Sequence, residues 1–326
     1  MAGRSSRRKV DGGERIKALV EEKLGQGLQY EALQLYRGLV SRKSARGDHD
    51  GAVAVAEQGI SVLVRGGVVD SATELASVMV GIFVDNELPP TEGRLSVIKR
   101  VNEVYEDAKR ADALAAEDKE KEGQKSIGGS RSREDASGGE EGQPSIGQLQ
   151  VRFLKLAVNW TARRGQWVNG DPGVCALLGR SLWGEKQTEK GTKYLVLGER
   201  PGELCDLICQ HLPQQSDRES AVTQGMLQFV SRENLRDANA LQDAYKKQCP
   251  KGEVLGPLPT FCGLLLKTCE YDAGPVFQQL LDKYKPSLSK EAGLFPHVES
   301  IAKIYFRIEM RPPSVLENIM GMFAAS

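Results

Sequence analysis

Three stretches decide the fold: Gly27-Leu-Gln-Tyr-Glu-Ala32, Gly47-Asp-His-Asp-Gly-Ala52 and Gly67-Val-Val-Asp-Ser-Ala72. Each opens on glycine, reaches alanine at the same offset, and follows its predecessor by 20 residues. Three positions past each alanine stands an apolar residue, Leu35, Val55 or Leu75. Glycine followed by helix-forming sequence at this period is one α-helix plus one turn, and two periods make a helical hairpin of tetratricopeptide length. The alanine is small where helices must approach closely, and its partner three residues on shares the same helical face. Such a unit cannot bury its apolar stripe alone and has to stack on neighbours. The sequence therefore predicts an all-α chain, an α-solenoid of tetratricopeptide-like helical hairpins.

Working outward, residues 1–12 carry Arg4, Arg7, Arg8 and Lys9 among Ser and Gly, the composition of a disordered basic tail. Residues 13–106 form a first block of helical repeats: a helix from Glu14 to Leu24, then Leu28–Ala45, Asp48–Arg65 and Val69–Asp85. Asp48 and Asp70 are placed to cap helix starts. Pro89-Pro90 interrupts, and Leu95, Ile98, Val101 and Tyr105 return at helical spacing. From about Asp107 the apolar stripe dies. The segment 107–145 reads as a charged insert, with a fraying helix leading into a disordered stretch at 123–143 that has too little to bury to offset the entropy of ordering. A second block spans 146–326, with Gly170-Asp171-Pro172 as a capped helix start. The Pro- and Gly-rich loop near 250–260 leaves room for one small β-hairpin, and a last short helix follows Pro312-Pro313.

Composition excludes several classes. Basic and acidic residues balance at 44 each, so no net charge draws the chain to nucleic acid or an anionic membrane. Aromatics make up 6 %, too few for base-stacking platforms. There is no run of apolar residues long enough for a membrane span and no apolar leader, which points to a soluble cytoplasmic or nuclear protein, the cytosol being the expected location. The six cysteines sit mostly in apolar helical patterns and read as reduced thiols.

Catalytic and metal-binding patterns are absent from the sequence. His49, His211 and His297 are isolated, and Cys205 and Cys209 share one helical face but lack a matching second pair for zinc. An enzyme built on those cysteines would need an exposed thiol of low pKa, whereas Leu204, Leu207 and Ile208 argue for burial. The stretch Gly179 to Lys186 lacks the Lys placement of a phosphate loop. A non-enzymatic binding protein without cofactor or metal follows, since an extended binding surface is the usual product of a solenoid. A generic tetratricopeptide co-chaperone or scaffold subunit is the rival reading. It would need a basic clamp repeated at equivalent helix positions, and none is found.

Tyr30-Glu31-Ala32 with Gln34 and Arg37, then Arg42, then Gln58-Gly59, resembles the N-terminal repeats of the Golgi-to-ER traffic protein four family. Gly170-Asp171-Pro172, Tyr284-Lys285-Pro286-Ser287-Leu288 and Pro312-Pro313 with Leu316, Met320 and Phe323 look like its later landmarks, in the family's order. The resemblance implies a non-catalytic adaptor in post-translational targeting of tail-anchored membrane proteins to the ER. It implies that the N-terminal block docks on an ArsA-like targeting ATPase, with Arg42, Glu74, Glu31, Arg37, Gln58 and Arg46 as candidate contacts. Tyr30 and Ala32 read instead as packing residues. The resemblance also implies that the C-terminal block holds a ubiquitin-like adaptor protein, and that animal members bind a scaffold chaperone. The run Phe261, Leu264, Leu265, Leu266 and the following Val276, Phe277, Leu280, Leu281 is more apolar than a terminal hairpin normally covers. Val254, Leu255, Phe261 and Leu265 are the candidate contacts there.

Overall fold

The computed structural model describes residues 12–125, 144–248, 255–291 and 293–310, with side chains described from 18 to 116 and from 144 onward within those ranges. The chain divides into two compact units, residues 1–186 and 187–326. All regular structure among the described residues is helical.

The first unit holds α1 (Gly12–Gly25), α2 (Gln29–Ser44), α3 (His49–Arg65), α4 (Val69–Asp85), α5 (Glu92–Lys125), α6 (Ile146–Arg164) and α7 (Pro172–Gly184). Helices pack on their second neighbours as well as on adjacent ones: α1, α3, α5 and α7 form one layer, and α2, α4 and α6 the other. This is the stacking of a solenoid. The repeated alanines Ala32, Ala52 and Ala72 are fully buried, as the close approach of helices requires. Gly59 marks a close crossing of α3 with α2 and α4. A Cβ there would lie 2.6 Å from Leu75 Cδ2 and 2.8 Å from the Tyr36 ring.

Each repeat ends in the same turn. Gly27, Gly47 and Gly67 have φ between 76° and 79°, and the amides of Leu28, Asp48 and Val68 close back on the carbonyls of Lys23, Lys43 and Leu63 at 2.9–3.1 Å. This is the Schellman geometry, in which the left-handed residue leads the chain out of one helix and into the next. Asp48 caps α3 by accepting from the Gly51 amide at 3.0 Å. Asp70 does not cap α4. The cap position is Val68, and Asp70 falls inside the first turn, where its charge still opposes the helix dipole favourably.

α5 runs through the charged stretch to Lys125, so residues 123–125 are helical, and its side chains at 111–116 are all exposed. The loss of the apolar stripe ended the packing and not the helix, because Ala, Glu and Lys are strong helix formers. Residues 126–143, where disorder is expected, lie outside the described residues, as do the basic tail up to residue 11 and the last expected helix after Pro312. α6 is held against α5 by a polar cluster. Buried Gln150 donates to Asn102 Oδ1 at 2.8 Å and to Glu106 Oε1 at 2.7 Å, and accepts from Lys109 Nζ at 3.0 Å. Ser145 and Gln148 add a complete capping box at the start of α6.

These contacts carry the α5–α6 pairing without the segment between them. Replacing residues 117–142 by a short Gly/Ser linker is therefore expected to shift the thermal midpoint by no more than about 2 °C, since loop-closure entropy depends weakly on length. A calorimetric loss of ~10 °C would show that the segment folds onto the unit.

The second unit holds α8 (Thr188–Leu197), α9 (Pro201–His211), α10 (Gln215–Val230), α11 (Leu235–Gln248), α12 (Pro257–Glu270), α13 (Gly274–Leu288) and α14 (Phe295–Phe306). Within this unit α8 packs with α10 and α10 with α12, and α9 with α11, while α13 packs on α12 and α14 packs on α10. The expected hairpin near 250–260 is corrected in its described part: Gly256 is the N-cap of α12 and Pro257 its first residue, so 257–260 are helical. Residues 249–254 lie outside the described residues.

Candidate partner-binding surfaces

In the first unit, two of the candidate residues meet. Arg37 on α2 and Glu74 on α4 form an ion pair at 3.5 Å, with both side chains about half exposed. They lie 37 positions apart in sequence and are joined because α2 and α4 are layer neighbours. Glu31, at the start of α2, pairs with Lys23 of α1 at 2.7 Å. Arg42 is exposed and lies back along its own helix, its Nε donating to the Gly38 carbonyl at 3.0 Å. Arg46 is exposed in the turn that follows α2. Gln58 stands apart on α3, half-buried, with no hydrogen bond to the other five candidates among the described residues. Exposed pairs of this kind are worth at most ~1 kcal/mol to the fold, so their charges are free to serve a partner.

Tyr30 overturns an expectation. The packing stripe of α2 is Ala32, Leu33, Tyr36 and Val40, and a residue two positions before Ala32 points roughly 200° away from it. Tyr30 is accordingly 72 % exposed. An exposed tyrosine beside the Glu31–Lys23 pair is the residue type that anchors protein interfaces. A helical wheel drawn through Ala32 and Tyr36 is the signal that identifies it.

In the second unit, the apolar surface lies one residue away from where the sequence suggests. Phe261 and Leu265 are fully buried, and Phe261 packs on the Tyr284 ring at 5.6 Å. Leu255 is half-buried just ahead of α12, and Val254 lies outside the described residues. The buried set on α12 is Pro259, Phe261, Cys262, Leu265, Leu266, Thr268 and Cys269, which leaves Leu264 outside at 42 % exposure. With Val276 at 51 % and Tyr271 at 81 %, Leu264 borders a groove of about 410 Å³ between α12 and α13. Leu280, Ala273, Lys267 and Lys283 line it as well. A largely apolar lining with polar and cationic members suits a docking groove.

The thiols are held as packing groups. Burial pushes Cys262 and Cys269 up to about 12, far above the range in which a thiolate forms at neutral pH. Cys205 is buried and Cys209 half-buried on α9. In the native protein, iodoacetamide should modify Cys262 and Cys269 at least about a hundredfold more slowly than in the urea-unfolded chain. Peptide mapping that finds either one alkylated at the unfolded rate would overturn this account of the second unit's core. Among the described residues, no three His, Cys, Asp or Glu stand together as a metal site, and no helix is long and apolar enough to cross a membrane.

Comparison with known proteins bears on the family and the fold. The family model described as Golgi to ER traffic protein 4 matches residues 46–324. "Protein GET4" of Arabidopsis thaliana is 25 % identical over 321 residues, covering 95 % of this chain and 92 % of the relative. The Golgi to ER traffic protein 4 homolog of Homo sapiens is 22 % identical over 333 residues, covering 100 % of this chain and 90 % of the relative. The crystal structure of C. therm. Get4 superimposes with a TM-score of 0.71 at 22 % identity, over 96 % of each chain, which supports the fold.

Proposed function

The chain belongs to the Golgi to ER traffic protein 4 family, and on that premise we propose that it is a cytosolic adaptor in tail-anchored membrane-protein targeting, joining an ArsA-like ATPase to a ubiquitin-like protein. The family is one of non-enzymatic, partner-binding adaptors. The observation that carries the finer reading is the difference between the two exposed surfaces. One, in the first unit, is polar and charged around Arg37, Glu74, Arg42 and Tyr30. The other, in the second unit, is an apolar groove around Leu264, Tyr271 and Val276. Surfaces of opposite chemistry suit two different partners.

The charged face is assigned to the ATPase, where complementary charge would speed encounter and fix register. Arg42, Glu74, Glu31 and Arg37 are its proposed contacts, with Tyr30 as an anchor and Arg46 and Gln58 at its margin. The groove is assigned to the ubiquitin-like protein, with Leu264 and Val276 taking the roles that the sequence suggests for Phe261 and Leu265. A scaffold chaperone is a further proposed partner.

Reversing Arg42→Glu or Glu74→Lys should weaken the ATPase complex by about 1–3 kcal/mol, leave far-ultraviolet circular dichroism unchanged, and flatten its salt dependence. Isothermal titration with the purified ATPase measures this. Full affinity in both variants would remove Arg42 and Glu74 from the interface.

A further inference from the structure

The second unit contains a second recess, separate from the α12–α13 groove and different in chemistry. It is a cleft of about 550 Å³ bounded by α8, the C-terminal end of α10 and the first turn of α14. Lys190 and Lys193 line it from α8, and Arg232 lines it just past α10, against the single carboxylate of Glu189. The whole chain is charge-balanced, so this local excess is not a reflection of a basic protein. Lys193 makes no hydrogen bond or ion pair among the described residues, and the contact of Lys190 with Gln187 is stretched to 3.5 Å. Lys190 and Lys193, brought into one concavity with a single carboxylate, leave an excess positive charge that an anion would offset.

A second observation comes from Gln228 on the wall of the same cleft. Its side chain is 6 % exposed, and its Oε1 is buried without a hydrogen-bond partner. A buried amide oxygen left unpaired is unfavourable, and a ligand that carries an N–H donor removes the penalty. His297, from α14, completes the lining. Burial, reinforced by the Arg232 charge, lowers its pKa, so at neutral pH it contributes one donor and one acceptor and not a fourth charge.

We propose that this cleft binds an acidic, extended peptide segment of a partner protein, whose carboxylates pair with Lys190 and Lys193 while a main-chain N–H reaches Gln228. A peptide fits better than a free oxyanion because it offers donors and acceptors together, as the lining does. The volume falls in the range of roughly 300–1,000 Å³ that takes small ligands and short segments.

The test is fluorescence anisotropy of the full chain with a fluorescein-labelled peptide of alternating Glu and Ala, against its Gln/Ala counterpart. The acidic peptide should bind in physiological salt and the neutral one should not. Lys193→Glu should lower the affinity about tenfold or more. Gln228→Met should lower it several-fold while leaving the melting temperature unchanged or raised, because the orphaned oxygen is gone. Lys246→Glu, an exposed charge on α11, serves as the control for net charge and should change the affinity by less than about twofold. The proposal fails if the acidic peptide does not bind, if Lys193→Glu leaves it bound, or if Lys246→Glu weakens it equally. It also fails if inorganic phosphate displaces the peptide and Gln228→Met has no effect, since the site would then be a simple oxyanion pocket.

Discussion

Replacing Trp160 with alanine is expected to destabilise the first unit by about 3–5 kcal/mol. The indole is fully buried on α6, stacks on Phe83 of α4 with ring centroids 4.4 Å apart, and donates from Nε1 to the Leu88 carbonyl at 2.9 Å. Truncation would open a cavity between two stacked repeats and orphan a carbonyl in the turn leading to α5. Arg164, one helical turn further along α6, grips Glu87 in that same turn at 2.8 Å and would be left without its packed support. Trp160→Phe separates the two contributions. It keeps most of the stacking and loses the hydrogen bond, which should cost about 1–2 kcal/mol. Thermal and urea unfolding measure both variants, and an alanine variant within about 1 kcal/mol of the parent would refute this account of how α4 and α6 are joined.

The second large effect concerns the groove. The double substitution Leu264→Asp with Val276→Asp is expected to weaken the complex with the ubiquitin-like protein at least about a hundredfold, roughly 3 kcal/mol. Both side chains are exposed, so placing carboxylates there should leave the fold intact while desolvating two charges against an apolar partner. Phe261→Ala would be the wrong experiment. That ring is interior, and its loss would cost about 3–5 kcal/mol of folding free energy before any partner was added. Titration calorimetry alongside a melting curve separates the two cases. Undiminished affinity in the double variant would move the partner off this groove.

The contrast between Leu264 and Leu265 shows where the sequence stopped being legible. A continuous run of leucines announces a buried helix but does not say which of three adjacent residues is left outside, because that depends on which neighbours α12 meets. Tyr30 was legible in principle, since its offset from Ala32 settles its direction, but the recurrence of alanine drew attention to the wrong member of the pair. The period of glycines was readable through Gly67 and then vanished. The turn itself did not vanish: Glu87, 20 positions later, takes the same left-handed conformation at φ 54°, and Leu88 closes back on Phe83 at 2.9 Å. Glu199, Glu233 and Asp272 repeat it in the second unit. Stacking imposes the conformation there at the ordinary cost of a left-handed residue, about 1–2 kcal/mol, so no glycine marks the repeat. Ion pairs such as Arg37–Glu74 became visible only once the layers were known, because second-neighbour helices are what bring them together.

The account stands most directly on whether one chain holds both partners at once. Purified chain mixed with the ArsA-like ATPase and the ubiquitin-like protein, and followed by size-exclusion chromatography with light scattering, should give a single species containing all three. Glu74→Lys should then release the ATPase and keep the ubiquitin-like protein, while Leu264→Asp with Val276→Asp should do the reverse. Competition of the two partners for the chain, or loss of both from either variant, would contradict the assignment of separate surfaces to separate partners.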